Sequence, residues 1–178
     1  MKWIFSLSLV LFSQYSFSGS FEVEAKLLAS DLKKSLMKNL SEEISKNGAV
    51  KAIPFCHENV RPIAKEAAGE RLAKYEFGRT SHKLRNKSNE PQVWLNSYLK
   101  EFEGTFKGDV KKDYIVHQFE TGKKAYLEPL FVQAQCLTCH GEILTKDVKN
   151  KLKDIYPEDK ATGFKLNEFR GFIWIKEK

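Results

Sequence analysis

Cysteine, methionine and long apolar runs are all scarce in this chain, and each scarcity excludes something. Three cysteines among 178 residues cannot all pair, so a disulfide framework is excluded and at least one thiol needs another role. The methionines are Met1 and Met37 only, so no thioether follows the C-terminal half's cysteine pair. No apolar stretch reaches the about 20 residues that span a bilayer. No internal repeat or low-complexity segment is visible. Basic residues outnumber acidic ones, 30 to 23, for a formal net charge of +7. The excess is interspersed, and no compact basic run interleaves with aromatics, which argues against nucleic acid as a partner.

What is present begins with an export leader. Lys2 gives a positive start, Trp3 to Phe12 is a short apolar run, and small residues follow at Ser16, Ser18, Gly19 and Ser20. Residues 1–20 are therefore expected to be a signal peptide cleaved near residues 18–20. Residues 21–178 are expected to form one exported domain, periplasmic and without stable membrane insertion. The length suits a single core.

Phe21 to Lys46 carries an apolar stripe, Val23, Leu27, Leu28, Leu32, Leu36, Leu40 and Ile44, stepping mostly by four. That predicts a long helix, stopped at Asn47-Gly48. Met37 lies on or beside the stripe and reads as core. Ala49 to Ala68 has helical composition, but Pro54 and Pro62 predict two short helices or a kinked one. Strands are predicted within Leu72 to Thr80, at Tyr114 to Thr121 and Lys123 to Val132 as a hairpin turning at Thr121-Gly122, and at Arg170 to Lys176. Pro129 marks the second hairpin strand as an edge or an irregular position. Helices are expected at Pro91 to Phe102 and Lys146 to Ile155. Helices first and hairpins later make an α+β domain with a mostly antiparallel sheet.

The chemistry sits at Cys136-Leu137-Thr138-Cys139-His140-Gly141. Two thiols separated by two residues and followed by histidine are the covalent attachment signature of a c-type haem. Cys136 and Cys139 would carry the thioethers, and His140 would reach the iron from the proximal side. A thioredoxin-like dithiol would need a βαβ setting, which this region lacks. A zinc site would need a second ligand pair, which the chain does not supply. A structural disulfide would leave His140 without a role. One haem c accounts for two cysteines and leaves Cys56, a lone thiol that needs burial or a metal in an oxidising compartment. Candidates for the distal iron ligand are Cys56, His57, His82, His117 and Met37.

Several segments occur together in a recognisable order: Ala52-Ile53-Pro54-Phe55-Cys56; Arg79-Thr80-Ser81-His82-Lys83-Leu84-Arg85-Asn86 with Asn89 and Pro91; Cys136 to Gly141; and Tyr156 to Phe164 with Arg170-Gly171. With them the chain resembles the single-haem c-type domains of PAS-like fold that are proposed as redox or gas sensors. The resemblance implies a PAS-like antiparallel sheet with a long N-terminal helix and flanking helices. It implies iron held by His140 and Cys56, with His57, directly beside Cys56, as the alternative distal ligand. It also places Arg79 and Arg85 near the haem edge, as propionate partners or as residues of a solvated loop. Lys87 departs from the family pattern, in which proline follows Arg-Asn.

The functional expectation is an exported haem protein that senses redox state or a small gas and signals to a separate protein partner. The alternative is a low-potential single-haem electron-transfer cytochrome. A haem enzyme would need an open distal position with acid–base groups beside it, and nothing in the sequence places His82 or His117 there. The chain is therefore read as a non-enzyme.

Overall fold

The computed structural model describes residues 21–178; the expected signal peptide lies outside the described residues. Helix α1, Phe21–Ala68, is divided at Gly48, whose φ of 80° and ψ of 165° leave the helical region. Only glycine adopts that backbone without strain, so the expected stop at Asn47-Gly48 becomes a joint between two arms, 21–47 and 49–68. Of the two expected outcomes, two short helices are not seen: the second arm runs through Pro54 and Pro62 as one helix. Each removes a single helical donor, and burial of Ala52, Ile53, Ala64 and Ala68 holds the arm together.

The buried face of the first arm also differs from the expected stripe. Ala25, Leu28, Ala29 and Leu32 face the core, whereas Val23 and Leu27 are 53% and 57% exposed. The reason is steric: two alanines let the helix axis approach the sheet, and the closest approach selects the packed face. Leu36, Met37, Leu40 and Ile44 continue the stripe only half-buried.

Four strands, β1 Tyr75–Thr80, β2 Ile115–Gln118, β3 Lys124–Phe131 and β4 Phe169–Glu177, form an antiparallel sheet in the order β1-β4-β3-β2. The β2–β3 hairpin turns at Gly122, where φ is 83°. β3 is an inner strand, yet β2 pairs only with Lys124 to Leu127, so Pro129 faces β4 alone, opposite Phe172. Its missing N–H therefore falls where β3 is locally an edge.

Alternation along the strands gives the sheet two apolar faces. Tyr75, Tyr126, Ile173 and Ile175 pack beneath the first arm of α1. Leu127, Phe169 and Phe172 pack against Leu95, Leu99 and Phe102 of the segment leading into and forming α2, Asn96–Phe102. A third cluster joins Ile53 of the second arm to Leu144, Val148, Leu152 and Tyr156 of α4, Lys146–Ile155, and its flanks. That contact sets the second arm, and Cys56 with it, against the segment that carries Cys139.

Candidate functional site

The cysteine pair lies on a single helical turn. Residues Ala134–Cys136 form a 3₁₀ turn that runs into α3, Leu137–His140. Three residues apart on such a turn, Cys136 and Cys139 share a face. Both are half-buried free thiols. Gly141 closes the turn with its N–H bonded to the Leu137 carbonyl at 3.0 Å. A side chain there would place its Cβ 2.6 Å from that carbonyl oxygen, so only glycine fits.

His140 is held from its Nδ1 side. Nδ1 lies 2.6 Å from the carbonyl oxygen of Ala161, which can only accept, so Nδ1 carries the proton and Nε2 keeps its lone pair. Burial pushes the imidazole pKa well below its ordinary value, Arg170 and Arg85 push it further down, and the Ala161 bond opposes them. The ring is thus a neutral imidazole with a fixed tautomer, the state and orientation in which histidine binds a metal.

Around it runs a polar network from three separate segments. Arg85 donates from Nε to Asp159 Oδ2 at 3.0 Å, and from Nη2 to the carbonyls of Cys139 at 2.5 Å and Ala161 at 3.3 Å. Its Nη1 lies 3.5 Å from His140 Nε2. Asp159 Oδ1 in turn accepts the Ala161 N–H at 2.8 Å. The loop bearing Arg85 is anchored by Ser81, whose hydroxyl donates to the Arg170 carbonyl at 2.6 Å and accepts from Arg170 Nη1 at 2.8 Å and Lys83 N at 3.0 Å.

Cys56 lies on the second arm of α1, half-buried, where burial raises its thiol pKa; Arg79 and Arg85 pull it down, and Cys139 raises it. Arg79 projects from the α1 face of β1 and makes no side-chain hydrogen bond to any described residue. Burial is the first cause pushing its guanidinium pKa down, as it is for Arg170, though arginine starts so high that both stay charged. Arg170 also lies over the Phe164 ring, 5.0 Å from its centroid. Three guanidiniums, Arg79, Arg85 and Arg170, thus lie near one another, with one well-buried carboxylate, Asp159, paired to Arg85. A cluster with more cations than anions fits a ligand that brings its own carboxylates.

The remaining candidates are dispersed. His57 is exposed, its ring at the edge of Tyr156 with centroids 5.1 Å apart. His82 stacks on Phe169 at 5.8 Å, and its buried Nδ1 has no partner. His117 accepts or donates at Nδ1 to the Tyr98 hydroxyl, 3.0 Å away, and stacks on Trp94. It lies on the α2 face of the sheet, across from Arg79. Met37 is half-buried on the first arm and outside every buried core cluster. Sequence reasoning missed the roles of Asp159, Ser81, Arg170 and the Ala161 carbonyl. All four lie inside the segments singled out above, but spacing along the chain does not reveal hydrogen-bond partners. Among the described residues, no three His, Cys, Asp or Glu side chains converge to hold a bare metal ion, and no helix is long and apolar enough to cross a membrane.

A family profile described as Tll0287-like matches residues 20–177 of the chain. Among solved structures, the crystal structure of the cyanobacterial heme-protein Tll0287 is similar, with a TM-score of 0.59 and 22% sequence identity over 83% of this chain and 88% of that one. At that identity the likeness shows the fold. No curated protein sequence matches.

Proposed function

The chain belongs to the Tll0287-like family, and from that premise we propose that it is an exported single-haem c-type protein that senses redox state or a small gas in the periplasm. The observation that carries the reading is His140: its Nδ1 is committed to Ala161, its Nε2 lone pair is kept, and it ends the turn that presents Cys136 and Cys139. Those two thiols would form the thioethers, and His140 and Cys56 would hold the iron, with Arg79 near Cys56. When bound, the haem would supply a one-electron couple and an iron whose ligands can exchange.

The chain's own contribution to a switch is at Cys56 Sγ. Burial makes the thiolate costly and raises the thiol pKa, and the positive charges of Arg79 and Arg85 offset that only in part. A thiolate held against its own burial takes up a proton readily, so the Cys56 side is the one able to let go. His57, one residue along, is the alternative ligand. The rival reading, a low-potential electron carrier, is favoured by exposure of Gln133 to Gln135 and Thr138 around the cysteine turn, where a redox partner could approach.

The test is a pyridine haemochrome assay on protein matured with a c-haem assembly system, followed by ferric and ferrous spectra. A thioether-type haemochrome that disappears in the Cys136→Ser, Cys139→Ser double variant supports the attachment. Cys56→Ala should change the ferric absorption and EPR spectra; unchanged spectra would rule out thiolate ligation. Loss of the Cys56-dependent signature on reduction separates sensor from carrier, which keeps both ligands.

A further inference from the structure

Resting on that haem reading, we propose that Arg85 and Asp159 are a positioning pair that sets how strongly His140 donates to the iron, and that Arg85 is not a propionate partner. Nε and Nη2 of Arg85 are already committed, and Nη1 is turned toward His140. Nε serves Asp159, and Nη2 is shared between the Cys139 and Ala161 carbonyls. Arg79, whose side chain bonds to no described residue, and Arg170, with only Nη1 engaged among them, are the guanidiniums left to meet carboxylates.

The Ala161 carbonyl is the point of control. It accepts from His140 Nδ1 at 2.6 Å and from Arg85 Nη2 at 3.3 Å. A second donor on one carbonyl competes for its electron density, which weakens the pull on the Nδ1 proton and keeps the imidazole from imidazolate character. Asp159 acts on the same peptide from the other end, accepting the Ala161 N–H at 2.8 Å while partly neutralising Arg85. Ala161 is fully buried, and the Arg85 and Asp159 side chains are only 14% and 8% exposed, so water screens little of this. The weakest contact of the fork, Nη1 at 3.5 Å from Nε2, is the one Arg85 gives up when that lone pair is used elsewhere.

Signs follow directly. Arg85→Leu removes a positive charge, frees the Ala161 carbonyl to draw on Nδ1 and leaves Asp159 uncompensated. All three favour the ferric state, so the midpoint potential falls. Asp159→Asn removes the negative charge but keeps an oxygen for the Ala161 N–H, so the potential rises. Arg85→Lys keeps the charge and loses the fork, giving a smaller fall. The experiment measures midpoint potential and the hyperfine-shifted His Nδ1–H resonance in haem-loaded protein. Roughly a tenfold change in the ferric-to-ferrous ratio at fixed ambient potential, about 59 mV for one electron, is expected for Arg85→Leu. Opposite shifts in Arg85→Leu and Asp159→Asn support the pair; if Arg85→Leu does not load, Arg85→Lys against Asp159→Asn decides in the same way. Shifts of one sign, or none, overturn it, because mere loosening of His140 would move both variants alike. If the unmodified protein forms no thioether haemochrome, the haem reading has failed instead.

Discussion

Ser81→Ala is the sharpest test of how the site is held. The Ser81 side chain is small, but its hydroxyl, in a residue only 6% exposed, joins three groups: the Arg170 carbonyl, Arg170 Nη1 and the Lys83 N–H. A neutral hydrogen bond is worth about 1 kcal/mol net, and one to a charged donor roughly twice that. Removing the oxygen also strands a partly buried carbonyl. Arg170 Nη1 keeps the Lys83 carbonyl at 3.2 Å, which recovers part of the loss. The expected destabilisation is about 3 kcal/mol. Urea unfolding should show it as a lower midpoint at unchanged m-value. Ser97→Ala, exposed on α2, is the control and should stay within about 0.5 kcal/mol. A loss below about 1 kcal/mol for Ser81→Ala would refute the shared-hydroxyl account, since even one neutral bond accounts for that much.

Three other outcomes are expected. Gly171→Ala should destabilise by about 3 kcal/mol or more, because φ is 144° and a Cβ would sit 2.1 Å from the Thr80 carbonyl; thermal unfolding checks it. His82 titrates below its ordinary value of 6.5, first because of burial, so the unfolded chain takes up its proton before the folded one as pH falls. Stability is then full above the unfolded value and is lost as pH drops toward the folded one. Urea midpoints compared at about pH 7 and pH 5 should differ less in His82→Phe, with the His140 contribution, of the same sign, remaining. Leu152→Ala, at a position 3% exposed beneath Ile53, should cost about 2–5 kcal/mol and speed alkylation of Cys56 in haem-loaded protein, whereas Leu99→Ala should not.

Local chemistry was legible in the sequence where one residue type dominates its own backbone. Gly48 ends one arm of α1, Gly122 turns the hairpin, and the apolar spacing of Lys146 to Ile155 gives α4. The outer part of the first arm was not legible: Val23 and Leu27 fit a four-residue step as well as Leu28 and Leu32 do, and only the approach of the sheet selects between faces. Two prolines inside the second arm do not divide it, for a related reason: tertiary burial outweighs a lost helical donor. At the site, the cysteine turn and His140 announce themselves through spacing. Asp159, Ser81 and the Ala161 carbonyl do not, because their partners lie 74, 89 and 21 residues away in sequence.

The two sides of the proposed iron site are built by different forces, and this bears on which side can move. His140 is fixed by a polar network in which the Ala161 carbonyl, Asp159, Arg85 and, behind them, Ser81 satisfy one another. Shifting the ring strands several partly buried polar groups at once, each costing about 1–3 kcal/mol. Cys56 has no such network; its arm is seated by apolar contacts between Ile53 and α4. Apolar packing is non-directional and tolerates small slides that a hydrogen-bond network does not. The arm also begins at Gly48, whose backbone conformation lies outside the helix and gives it a joint. Under the sensor reading, ligand exchange therefore belongs to the Cys56 side, with His140 as the fixed reference against which it is read.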